Sequence, residues 1–175
     1  MLRYQDMLKD GKTPKSRVVH IPNLVVWHPN ISEQYFCDFA RISFYQTVVG
    51  DQNLLDTAMQ QISQISYTYS EDEINKIKSG GTLRPCLFKK DKKTTKTKSV
   101  DINLTVDMMR HANNGAFDVL FLLSGDGDYL PLVKEIARNG KQVWLAAFSK
   151  GLNKNLRFAA DEFIDLDNIF FEQAK

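Results

Sequence analysis

The chain has 175 residues, 43% of them hydrophobic and 25% charged, with a formal net charge of +2. That length suffices for one well-buried core and predicts a single domain over 1–175, while the small net charge excludes a histone-like polycation, so any nucleic-acid contact must come from a local patch. Cys37 and Cys86 are too few for a disulfide scaffold or a zinc cluster, nothing at the N-terminus reads as a signal peptide, and no apolar run approaches the roughly 20 residues of a membrane helix; the sequence predicts a cytoplasmic protein with no membrane partner.

Residues 1–10 read as a helix, and the stretch 17–31, with LVVWH between Pro22 and Pro29, has no clear place in the pattern. ARISFYQT reads as a strand, NLLDTAMQQISQIS as a helix and LRPCLFKK as another strand. The biased segment KKDKKTTKTKS, residues 89–99, comes next. SVDINLTVDMMRHANNG then carries two apolar stripes, Val100, Leu104 and Met108, and Ile102, Val106 and Met109, and stops at Asn114-Gly115; it is expected to be a helix buried on two sides. FDVLFLLS is a strand, DYLPLVKEIARNG a helix closed by Asn139-Gly140, KQVWLAAFS a strand, NKNLRFAAD a helix and EFIDL a last short strand. Strands that are nearly continuous apolar runs, alternating with helices, predict a parallel sheet covered on both faces, with ARISFYQT and FDVLFLL parallel in that one sheet.

The chemistry concentrates in SGDGDY, residues 124–129, where a buried strand passes into a helix. One reading is a tight glycine turn with Asp128 capping the helix. That reading leaves Asp126 without a role, at the carboxyl end of a central strand, where open parallel sheets bind ligands. Two carboxylates this close repel unless a cation or protons neutralise them, so a metal site is the second reading. Asp101 stands in the first turn of a helix, where it suits the helix dipole. Asp107 lies between Val106 and Met108 and needs a partner, either as a residue supporting the site or as a salt-bridged surface residue. The lysines of the basic run, Lys93, Lys96 and Lys98 among them, lead directly into Asp101. Such a run is a solvated loop or a guide for a phosphodiester backbone beside a metal-binding carboxylate cluster. His20, His28 and His111 show no metal-ligand spacing, and no phosphate-binding glycine loop or nucleophile elbow is present.

KSVDINLTVDMM, then FDVLFLLSGDGDYLPLVKEIARNGKQVWLAAF, then NKNLRFAADEFIDL, resembles the NYN domain family of PIN-like metal-dependent ribonucleases. The resemblance is closest over residues 98–166 and looser at ARISFYQT, which looks like the family's second strand with its leading Arg41; residues 1–40 are divergent or truncated. It implies an α/β, Rossmann-like sheet of about five mainly parallel strands with helices on both faces, and an acidic cluster binding Mg²⁺ or Mn²⁺ for hydrolysis of RNA phosphodiester bonds. By motif, Asp101, Asp126 and Asp128 are the implied catalytic and metal-binding residues. Ser124, Asn103, Asp107 and Asp161 are implied to support them, Asp161 near the same sheet edge. Lys93, Lys96, Lys98 and Arg41 are implied to contact RNA. The family's opening strand, which ends in an aspartate-glycine-x-asparagine motif, has no counterpart in this sequence, so a catalytically impaired RNA-binding or protein-interaction module is the alternative. A homodimer is left open. A receiver-like or phosphatase-like doubly wound domain is a third possibility by fold analogy, though the carboxylates are not distributed as that fold expects.

Overall fold

A computed structural model describes residues 2–35, 37–72, 77–90 and 99–173. In chain order the elements are α1 (Leu2–Lys9), β1 (Val19–Ile21), β2 (Val25–Trp27), α2 (Asn30–Glu33), β3 (Ser43–Val49), α3 (Gln52–Ser63), β4 (Ser66–Asp72), β5 (Ile77–Thr82) and β6 (Arg84–Lys90). They continue with α4 (Ser99–Asn113), β7 (Val119–Leu123), a single 3₁₀ turn (Gly127–Tyr129), α5 (Leu130–Arg138), β8 (Gln142–Ala147), α6 (Lys154–Ala159), β9 (Glu162–Asp165) and α7 (Leu166–Phe170). The chain divides into two compact units, one formed by Met1–Ser16 with Asp101–Lys175, the other by Arg17–Val100.

In the first unit, β7, β8 and β9 form a parallel sheet in the order β7-β8-β9, with Leu123 opposite Ala146 and Ala147 opposite Asp165. The buried face of β7 (Leu120, Leu122) packs with Val143 and Leu145 of β8 and with Leu132, Val133 and Ile136 of α5. These α5 residues recur at helical spacing and are at most 3% exposed, which explains why LPLVKEIAR is a helix and which face it buries. α4 and α5 both stop where the sequence predicts. Gly115 (φ +64) and Gly140 (φ +74) take left-handed conformations that let the chain turn, with Ala116 donating to His111 O and Lys141 to Ile136 O. A further cluster joins Tyr4 of α1 to Phe148, Phe170 and Phe171, with ring centroids 6.2, 5.8 and 5.2 Å away.

In the second unit, β3 pairs in parallel with β6, the crossover running through α3, while β1-β2 and β4-β5 are antiparallel hairpins. Asp51 caps α3 by accepting the Leu54 N–H. LVVWH, without a place in the sequence pattern, is the second strand of the β1-β2 hairpin and its exit; Asn23, at φ +61, makes the reversal.

The architecture is thus mixed α/β with parallel sheets. The expected five parallel strands occur as β3, β6, β7, β8 and β9, but in two sheets of two and three strands among the described residues. The expectation that β3 and β7 share a sheet is corrected: β3 has β6 as its ladder partner and β7 has β8. Apolar runs mark strands; they do not specify which edges meet. A second correction concerns α4. Leu104, Met108 and Met109 pack against the core, whereas Ile102 (56% exposed) and Val106 (46%) do not, so the helix is buried on one side.

Candidate active site

β7 delivers the chain to its carboxyl edge at Ser124, and short hydrogen bonds shape the loop beyond it. The Ser124 hydroxyl accepts the Asp126 N–H (3.2 Å), and the Asp126 carboxylate accepts the Asp128 N–H (3.0 Å). The capping residue is therefore Asp126, extended at φ −78, ψ 123, and not Asp128, which corrects the turn reading. The glycines have a different role from the one expected of a tight turn. Neither has positive φ; both are closely approached by the loop after β8. A Cβ at Gly125 would lie 3.3 Å from Leu152 Cα, and one at Gly127 would collide with the Asn153 side chain, which itself caps α6 by accepting from Asn155 N (2.9 Å) and Leu156 N (3.1 Å). The Asn153 N–H donates to Gly125 O at 3.0 Å, so the loop after β8 is fastened to the acidic loop.

Tyr129 ends the 3₁₀ turn with its ring buried (6% exposed), and its hydroxyl donates to Asp101 Oδ1 at 2.6 Å. Asp101, in the first turn of α4, is thereby tied to the β7 loop. The phenol is held well above its ordinary pKa, first by burial, then by the hydrogen bond to and charge of Asp101, and further by the charges of Asp126 and Asp128. Asp101 bonds this hydroxyl directly, whereas Asp126 and Asp128 bear on it through their charge. Asp126 and Asp128 are exposed and Asp101 is partly buried.

The other residues implied by the family pattern are spread more widely. Ser124 belongs to the loop, where its hydroxyl accepts the Asp126 N–H. Asn103 is exposed on α4, and Asp107 pairs with Arg110 on the surface at 3.2 Å. Asp161 is corrected: its carboxylate accepts the Val143 N–H (2.7 Å) and its own N–H donates to Val143 O, which places it at the amino edge of β8 and β9, opposite the acidic loop. A motif fixes order along the chain, whereas the strand register fixes which edge a residue reaches. Arg41 precedes β3 in the second unit, and Lys93, Lys96 and Lys98 lie outside the described residues.

Several residues at the carboxyl edge carry no role in the sequence reading. Asp165 ends β9 and caps α7 through the Asp167 N–H (2.9 Å). Asp167 accepts from the Ser149 hydroxyl (2.6 Å), the Ser149 N–H (3.0 Å) and Lys12 (2.9 Å). Burial pushes the Asp167 carboxyl up, but the bonds from Ser149 and Lys12 outweigh that and hold it below the usual range. The signal for Asp165 was the EFIDL segment, read as strand alone, and Asp167 lies directly beyond it. Tyr129 was legible only as the last letter of SGDGDY.

Mg²⁺ and Mn²⁺ favour hard oxygen donors, which three aspartates supply. Among the described residues no three His, Cys, Asp or Glu side chains are grouped to hold a cation by themselves. Mg²⁺ commonly uses only one or two carboxylates, with water and substrate phosphate completing its shell, so a closed protein cage is not a requirement for it.

No curated protein matches the chain. Among solved structures, it is similar to a protein of unknown function from Vibrio parahaemolyticus, with a TM-score of 0.50 and 19% identity over 76% of this chain and 72% of that one, a likeness of fold alone. The model of the NYN domain matches residues 34–167, which span β3 through β9 and both elements that carry the acidic residues. The chain belongs to the NYN domain family.

Proposed function

We propose that the chain is a metal-dependent endoribonuclease domain, with Asp101, Asp126 and Asp128 as its acidic centre and Mg²⁺ or Mn²⁺ as its cofactor. The observation that supports this best is the Tyr129 hydroxyl's bond to Asp101, which ties the start of α4 to the loop bearing Asp126 and Asp128 at the carboxyl edge of a parallel sheet. A bound cation would supply a Lewis acid that activates water and neutralises charge at the scissile phosphate. The chain's own residues perform the rest: Tyr129 orients Asp101, the Asp126 cap fixes the direction of the Asp128 backbone, and Asn153 fastens the loop from outside. RNA is the proposed partner and the cytoplasm the proposed location.

A second reading, an RNA-binding module with impaired catalysis, draws on a specific observation: no three-residue cation group among the described residues. The two readings separate when purified chain is incubated with labelled single-stranded RNA, with Mn²⁺, Mg²⁺ or a chelator. The ribonuclease reading expects internal cleavage with either metal and none with chelator. RNA binding without cleavage under every condition favours the second reading.

A further inference from the structure

We propose that Arg3 is a phosphate-binding residue at this same edge, its guanidinium taking a phosphodiester group of an RNA strand; the inference rests on the function proposed above. The anchoring of α1 fixes where Arg3 sits. Tyr4 and Met7, each 2% exposed, hold the helix in the core, leaving the Arg3 side chain 56% exposed beside them.

Arg3 lies against the backbone of Gly151, which adopts φ +80; a Cβ there would fall 2.6 Å from the guanidinium carbon. Gly151 belongs to the same loop as Leu152 and Asn153. Its carbonyl oxygen and Leu152 Cα would be 3.4 and 3.3 Å from a Cβ on Gly125, and Asn153 donates to the Gly125 carbonyl. One layer of backbone therefore stands between this cation and the SGDGD loop.

Three other cations of this unit are engaged. Lys12 pairs with Asp167 at 2.9 Å, Lys150 with Asp10 at 2.6 Å, and Lys15 donates to Asn168 O at 2.7 Å. Arg3 instead has an ion pair with Asp6 at 4.0 Å, the outer limit of such contacts, between exposed side chains one helical turn apart. Exposed pairs of that kind contribute little and yield readily to a better anion. A guanidinium offers a planar fork of donors that matches two phosphate oxygens at once. An arginine held this loosely beside an acidic centre is placed to grip the phosphate of a strand whose scissile bond lies over the carboxylates.

The test uses the full chain, a fluorescein-labelled single-stranded RNA and fluorescence anisotropy with divalent cations chelated, over a series of salt concentrations. Arg3→Ala should weaken binding by roughly fivefold to tenfold and reduce the salt slope by about one. Arg3→Lys should keep the slope and recover only part of the affinity. Thermal melts should show both variants folded, as expected for an exposed side chain. If Arg3→Ala binds with wild-type affinity and slope, the inference is wrong. If wild-type chain fails to bind RNA even at low salt, the inference and the function it rests on fall together. If binding depends on Arg3 but Mn²⁺ produces no cleavage, the phosphate contact stands and the nuclease reading fails.

Discussion

The Tyr129 hydroxyl donates to the Asp101 carboxylate at 2.6 Å across 28 residues of sequence, joining the first turn of α4 to the loop at the end of β7. This bond sets the direction of the Asp101 carboxylate. Tyr129→Phe keeps the buried ring and removes only the donor. The loss of a hydrogen bond to a charged group should lower unfolding stability by about 1.5–3 kcal/mol, read from urea denaturation. It should also weaken Mn²⁺ binding by the folded chain, read by electron paramagnetic resonance. Unchanged stability and unchanged Mn²⁺ affinity would show that the bond does not orient Asp101.

The Asp167 carboxyl is held low by Ser149 and Lys12 against the upward push of burial. Its folded pKa thus lies below its unfolded value of about 3.9. The stability it contributes is present above that unfolded value and is lost as pH falls through the folded value. Asp167→Asn should therefore be clearly less stable than wild type at pH 6, with the gap closing below about pH 4. A gap that stays constant from about pH 6 to about pH 2.5 would mean the interaction does not depend on the charge.

Gly127 has an ordinary φ, yet a side chain there meets Asn153. Gly127→Ala should displace the Asn153 cap from α6 and cost on the order of 1 kcal/mol, the usual worth of an N-cap. The double variant Gly127→Ala, Asn153→Ala should then be barely less stable than Asn153→Ala alone. Strictly additive losses would mean that Gly127 is required for a different reason.

These relationships show how far residue patterns reach. From FDVLFLL to EFIDL, helix and strand were legible because β7 and β8 are apolar runs and α5 repeats its apolar residues at helical spacing. The β4-β5 hairpin was not legible. Gly80 and Gly81 both lie inside β5. Gly80 is there because a Cβ would collide with the Tyr67 carbonyl, and Gly81 because one would lie 3.0 Å from the Tyr67 hydroxyl, next to a shift in register between Thr68 and Ser70. At the candidate site, the motif singled out Asp101 and the SGDGDY aspartates, which the Tyr129 bond ties to one another's segments. It could not give the capping role of Asp126, the hydroxyl that links Tyr129 to Asp101, or the edge that Asp161 occupies, because each depends on contacts between distant segments or on local backbone geometry.

The most direct test of the acidic centre is metal-dependent RNA cleavage by wild-type chain and Asp126→Asn, side by side. The asparagine oxygen can still accept the Asp128 N–H, so the cap survives, while the charge that would hold a cation is gone. Removing that charge also relieves repulsion with Asp128, so the variant should be at least as stable as wild type. The account predicts internal cleavage of RNA by wild-type chain with Mn²⁺ or Mg²⁺, and loss of that cleavage in a fully folded Asp126→Asn. Equal cleavage by the two proteins would contradict it.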